Sequence, residues 1–163
     1  MISRLLRSLA ALPLVTGTFL AGTTLAQAQA APAGCQGQPS STWLRVAVGG
    51  VRNGNGLVTL ALYGDDSGRF LAHHGSLFNA RVPAHAGTTV ACLFVPRPGV
   101  YAIAVYHDEN GNRKLDRTGF GLPAEGFGFS NNPSTIAGLP TFSSVRLQIP
   151  HANVATRISL RYL

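Results

Sequence analysis

Acidic residues are scarce in this chain: six Asp and Glu stand against thirteen Lys and Arg among 163 residues. Helix signals are missing as well. No segment longer than a few residues shows the 3.6-residue apolar period with capping residues, which argues against a helical bundle or an α/β fold. No basic run is interleaved with aromatics, so a nucleic-acid surface is not expected. The glycines around Asn53-Gly54-Asn55-Gly56 precede no helix pattern and do not make a phosphate loop. Ser130 sits in Gly128-Phe129-Ser130-Asn131-Asn132, not at a strand-to-helix elbow, and His107-Asp108-Glu109 is not a helical zinc motif. Only two cysteines are present, too few for a disulfide-built scaffold.

What the chain does contain begins with an export pattern over residues 1–30. Arg4 and Arg7 open it, a mostly apolar run extends to Leu25, and two small-x-small sites follow at Ala26-Gln27-Ala28 and Ala28-Gln29-Ala30. Thr and Gly between positions 16 and 24 make the run short and weakly apolar, so cleavage is preferred to anchoring, with no transmembrane segment left afterwards. A lipoprotein site at Ala33-Gly34-Cys35 is the lesser alternative, with Pro32 where a large aliphatic residue is wanted. The expected location is periplasmic or secreted. Eleven of the basic residues follow position 30 against six acidic ones, a net charge of +5. That charge suits an anionic polymer or another envelope component as a partner. In an oxidising compartment, Cys35 and Cys92 suggest one disulfide, the alternative being a buried thiol at Cys92 and a loose Cys35.

Residues 31–42 are rich in Ala, Gly, Pro, Gln and Ser and read as a flexible leader without packing of its own. Beyond them, one domain over residues 43–163 is expected. Alternating apolar residues mark strands over 43–51 and 57–63, joined by a tight Asn-Gly turn that makes them hairpin partners. Residues 64–87 form an irregular crossing with a short strand near 77–82, and His73 and His74 are read as exposed loop residues. Strands over 88–95 and 100–106 follow, then two more over 145–149 and 154–162. Phe120, Phe127 and Phe129 are expected to pin a loop to the rim of the sheets. The fold class is all-β: a single antiparallel sandwich of about seven strands, Ig-like or transthyretin-like, with a long polar loop after the central strand 100–106.

Four of the six acids fall between positions 107 and 126, in that loop. Asp108, Asn110, Asn112 and Asp116 stand at relative positions 1, 3, 5 and 9, where a calcium loop turns oxygen-bearing side chains inward, and Lys114 at position 7 would add its carbonyl. Position 6 is Arg113 instead of Gly, and position 12 is Gly119, so Glu125 is the candidate for the closing carboxylate. Weak Ca²⁺ affinity is expected, on the order of 10⁻⁴–10⁻³ M as in extracellular modules. The alternative is a metal-free loop in which Asp and Asn bond their own backbone as successive Asx turns. His107 is read as bonding a loop carbonyl or carboxylate.

The segments Val105-Tyr106-His107-Asp108-Glu109-Asn110-Gly111-Asn112, Lys114-Leu115-Asp116, Gly121-Leu122-Pro123, Glu125-Gly126 and Gly128-Phe129-Ser130-Asn131-Asn132, in this order, closely resemble the signature of DUF2141, a bacterial family of exported proteins of unknown function. The weaker similarity runs from about Leu44 to the C-terminus. The turn Pro98-Gly99-Val100-Tyr101 also resembles transthyretin-like and carboxypeptidase-regulatory-like sandwiches. Family members commonly carry Gly at the position of Arg113, so a less tightly closed turn is expected here. The motif marks His107, Ser130, Asn131 and Asn132 as candidate binding residues beside the loop. Together these readings describe an exported, non-enzymatic sandwich of the cell envelope, a weakly calcium-stabilised binding or structural module with no catalytic residues assigned. A small hydrolase using His107 with Asp108 or Glu125 is the alternative.

Overall fold

The computed structural model describes residues 30–135 and 139–163. The export signal expected over residues 1–30 therefore lies outside the described residues, but for Ala30. Eight strands and one helical turn follow in the order β1 (Thr42–Val51), β2 (Leu57–Gly64), β3 (Phe78–Pro83), β4 (Gly87–Val95), β5 (Gly99–Asp108), β6 (Phe127–Phe129), α1 (Phe142–Val145), β7 (Leu147–Ile149) and β8 (Val154–Ser159). They form two sheets, one ordered β4-β1-β8 and the other β3-β2-β5-β6, with β7 paired to the start of β5. The all-β sandwich read from the pattern is the fold. One pairing departs from a purely antiparallel scheme: β8 runs parallel to β1, from Leu44↔Val154 to Gly49↔Ser159.

Alternation decides which side chains meet between the sheets. Leu44, Val46 and Val48 of β1 point inward and Arg45 outward; Val58, Leu60 and Leu62 of β2 and Ile103 and Val105 of β5 face them. A second, smaller cluster lies on the outside of the second sheet, where Tyr63, Ala102, Phe127, Phe129 and Val145 pack under Phe70 and Phe142. Phe127 and Phe129 thus do pin the rim, but Phe120 is 96% exposed and pins nothing.

Three local expectations change. β1 and β2 are not hairpin partners: β1 pairs with β4 and β8, β2 with β3 and β5. Residues 52–56 still turn tightly, with the Asn53 Oδ1 accepting the Asn55 N–H at 2.9 Å. The turn carries the chain across the core because each strand needs its apolar face buried, and facing sheets satisfy both. The strand expected over 145–149 is split into α1 and β7. The glycine-aromatic passage contains β6, whose Gly128 is needed because a Cβ there would run into the Ser159 main chain of β8.

The largest change is at the leader. Gln36 donates its N–H to Cys92 O and accepts from Phe94 N–H, each at 2.9 Å, so its backbone extends the first sheet. Its side-chain amide meanwhile donates to Arg81 O at 2.7 Å and accepts from Arg81 N–H at 2.9 Å, as a strand on the second sheet would. One residue closes the gap between β3 and β4, and the Cys35–Cys92 disulfide holds it there. The opposite seam is closed by residue 161, whose N–H and C=O pair with Phe127 at 2.8 and 2.9 Å. Both devices cover strand edges that would otherwise present unpaired backbone groups.

Gln36→Ala removes both side-chain bonds and orphans the Arg81 N–H and C=O. A loss of about 1–3 kcal/mol in denaturant unfolding is expected, with fast hydrogen exchange at the Arg81 amide. Unchanged protection at Arg81 would contradict the closure.

Candidate functional site

Strand β5 ends on His107 and Asp108, both wholly buried, and the acidic loop springs from this buried base. The Asp108 Oδ2 accepts the Arg113 N–H at 2.8 Å. Asn110 Oδ1 then accepts the Asn112 N–H at 3.0 Å, and Asn112 Oδ1 the Lys114 N–H at 2.8 Å. The last two are successive Asx turns. Arg113 does not loosen the turn: it adopts φ 64°, the left-handed conformation usual for glycine, and its N–H closes the loop on Asp108.

The side-chain amides of both Asn residues turn to Asp116. Asn110 Nδ2 donates to its Oδ2 at 2.7 Å, and Asn112 Nδ2 reaches Oδ1 and Oδ2 at 2.9 and 3.0 Å. Glu125 folds back as expected, but onto backbone: Oε1 accepts the Glu109 N–H at 3.0 Å and Oε2 the Asp116 N–H at 3.1 Å. Lys114 lies exposed. Of the six residues read as metal ligands, Asn110, Asn112 and Asp116 thus form one group, with Glu125 and Asp108 bracing its backbone. Among the described residues, no three His, Cys, Asp or Glu side chains are gathered so as to hold a metal ion. Among the carboxylates of these candidate ligands one oxygen remains unaccounted for. Asp108 Oδ1 is buried with no hydrogen-bond partner among the described residues.

His107 is the hub beneath the loop. Its Nε2 lies 2.8 Å from the Asn55 carbonyl, which can only accept, so this nitrogen donates. Its Nδ1 lies 2.8 Å from the Tyr162 hydroxyl. The bond to a loop carbonyl is the one read from the sequence. With both nitrogens occupied and no exposed surface, the ring is committed to these two partners. Gly56, with φ 64°, is required next to this bond, because a Cβ there would overlap the Asp108 carbonyl oxygen.

Four neighbours escape the sequence reading: Arg52, Asn53, Glu109 and Tyr162. The Glu109 carboxylate receives Arg52 Nη2 at 2.6 Å and Asn53 Nδ2 at 2.8 Å. The Arg52 guanidinium also lies 4.5 Å above the centre of the Tyr162 ring. These contacts span 56 to 110 positions along the chain, and no local spacing announces them.

Ser130, Asn131 and Asn132 are committed to backbone. The Ser130 Oγ accepts the Ile103 N–H at 3.0 Å and donates to Val145 O. Asn131 Nδ2 donates to Arg146 O at 2.7 Å, which ties β6 to the segment after α1. Asn132 pairs with the free edge of β8, donating to Arg157 O at 3.0 Å and accepting from Ser159 N–H at 2.7 Å.

The family described as "Uncharacterized protein conserved in bacteria (DUF2141)" matches residues 46–157, and the chain belongs to it. The match spans the strands from β1 into β8 and the whole loop. No curated protein and no solved structure matches the chain.

The Glu109 carboxyl is held below the ordinary carboxylate range: the Arg52 bond lowers it most, partial burial opposes, and the Asn53 amide lowers it further. A carboxyl depressed in the folded state stabilises fully above its ordinary pKa, about 4.3, and that contribution is lost as pH falls through the folded value. Glu109→Gln should therefore be less stable than the native chain at pH 7. The difference should shrink as pH drops through about 4 and disappear at lower pH. Equal stability at pH 7, or a gap that persists unchanged into acid, would show that the ion pair has no such role.

Proposed function

We propose that this DUF2141 protein is exported and serves at the cell envelope as a non-enzymatic binding or structural module whose 108–125 loop takes Ca²⁺ weakly. The observation that carries the calcium reading is the orphaned Asp108 oxygen. Leaving a buried carboxylate oxygen unpaired is costly, and a hard cation is one group that relieves it. The carboxylate lies against the loop, since its other oxygen holds the Arg113 N–H. An ion there would draw on Asp108, on Asn oxygens that keep a second lone pair beside their Asx bonds, and on Asp116 once it exchanged amide donors for the metal. Three carboxylates among exposed Arg113, Lys114 and Arg117 favour weak binding over tight binding.

Export draws support from the Cys35–Cys92 disulfide, which persists in oxidising compartments. Among the described residues no helix is long and apolar enough to cross a membrane. The non-enzymatic reading draws support from the burial of His107, Asp108 and Glu125, the three groups a hydrolase would need in contact with substrate. Exposed Arg45, Arg113, Arg117, Arg157 and Arg161 suit an anionic envelope polymer.

The test is thermal unfolding with Ca²⁺, Mg²⁺ or chelator. With an affinity near 1 mM, 10 mM Ca²⁺ stabilises by about 1.4 kcal/mol, and Tm rises by about 3–8 °C. The rise should be reversed by chelator, smaller with Mg²⁺, and absent in Asp108→Asn and Asp116→Asn. No shift at 10 mM Ca²⁺ in the native chain would end the calcium reading.

A further inference from the structure

On the outer face of the second sheet lies a cavity that takes no part in the loop's hydrogen bonds. Ala61 of β2 and Ala104 of β5 stand opposite each other in register. Two positions along the same faces are Tyr63 and Tyr106, and on β6 Phe129 stands opposite Ala104 and Phe127 opposite Tyr106. Two methyl groups beside four rings leave a hollow, a cavity of about 240 Å³ lined by all six residues. An apolar cavity of about 150 Å³ takes benzene, so this one has room for a substituted ring or a medium aliphatic chain, and none for a diacyl lipid.

The acidic loop adds Leu115, Arg117 and Pro123 to the lining, and Leu71 and Leu139 complete it with Val105. Among the described residues lining the cavity, Arg117 is the one that carries a charge. Arg117 is exposed and spends one guanidinium N–H on Gly121 O at 2.8 Å, which fixes the group beside the cavity with further donors to offer. Arg113 and Lys114 are exposed on the same loop. Asp116 and Glu125 keep their negative charge on this loop, but neither lines the cavity.

We propose that this cavity binds a small monoanionic amphiphile, an aliphatic or single-ring carboxylate, with its apolar part on the Ala61–Ala104 floor and its carboxylate at Arg117. Apolar walls select the tail by burial, and the cationic Arg117 selects the sign of the head. The site shares a loop with the calcium reading but does not rest on it.

The probe is sodium octanoate, titrated in chelator by calorimetry and by amide NMR on the full mature protein, with 1-octanol, octylamine and phosphatidylglycerol vesicles alongside. Saturable sub-millimolar binding of octanoate is expected, with shifts centred on the Ala61 and Ala104 amides. Octylamine should bind at least tenfold more weakly, and the vesicles should not bind. Arg117→Gln should weaken octanoate about tenfold, the effect of one lost charge contact, while leaving 1-octanol within about threefold. Ala104→Leu fills the floor and should abolish binding of all three small probes; Ala61→Val serves if that variant does not fold. The proposal is overturned by no saturable octanoate binding, by shifts lying away from both alanines, by equal affinity for octylamine, by binding that survives a filled floor in a folded variant, or by preference for vesicles. Because chelator is present throughout, failure of the calcium reading leaves the result unaffected.

Discussion

The hydrogen bond from His107 to the Asn55 carbonyl ties together, inside the protein, parts of the chain that lie 52 positions apart. It joins the end of the central strand β5 to the crossing between the two sheets, and the other ring nitrogen adds the C-terminal Tyr162. A wholly buried imidazole must have partners for both nitrogens, so the three segments are held in one arrangement or the site is costly. Glu109, clamped by Arg52 and Asn53 from the same crossing, repeats the connection at the surface. The acidic loop starts from this rigid base. Its first residue, Asp108, is therefore fixed before any ligand arrives.

From that base the loop solves a backbone problem with side chains. A turn-rich segment has N–H groups with no strand partner, and here Asp108, Asn110, Asn112 and Glu125 supply acceptors for five of them. The same short oxygen-bearing side chains are those a calcium site uses, because both tasks ask for acceptors within one or two residues of the backbone. The unpaired oxygen of Asp108 is the point at which the two uses separate.

The two sheets are closed at their seams by single residues. At one seam Gln36 acts as a strand through its backbone and as a second strand through its amide; at the other, residue 161 pairs with β6. The disulfide next to Gln36 closes a loop of 57 positions and so removes conformational freedom from the unfolded chain, worth about 4 kcal/mol in the chain-entropy account. Oxidation and sheet closure are thus coupled at one point in the leader.

Much of this was legible before any coordinates. Alternation over 43–51, 57–63 and 100–106 marked strands within a residue or two of β1, β2 and β5, since a strand with one buried face must alternate. The Asp/Asn spacing after β5 announced a loop of short oxygen-bearing side chains, read first as a weak calcium loop with bonding to its own backbone as the alternative, and the cysteine pair announced a bridge. Alternation is silent, however, about which strand lies beside which: β1 and β2 show the same period whether paired in one sheet or facing across the core. Backbone pairing by Gln36 left no mark because every residue but proline carries the same N–H and C=O. The clamp on Glu109 and the hollow over Ala61 and Ala104 arise from residues tens of positions apart, which the register of β2 on β5 brings together. The amino-acid order by itself determined the strands, the turns and the chemistry within the loop, because those depend on neighbours along the chain. Which sheet each strand joined, what secured its edges and where a cavity opened were decided only by the tertiary structure, because those depend on neighbours across it.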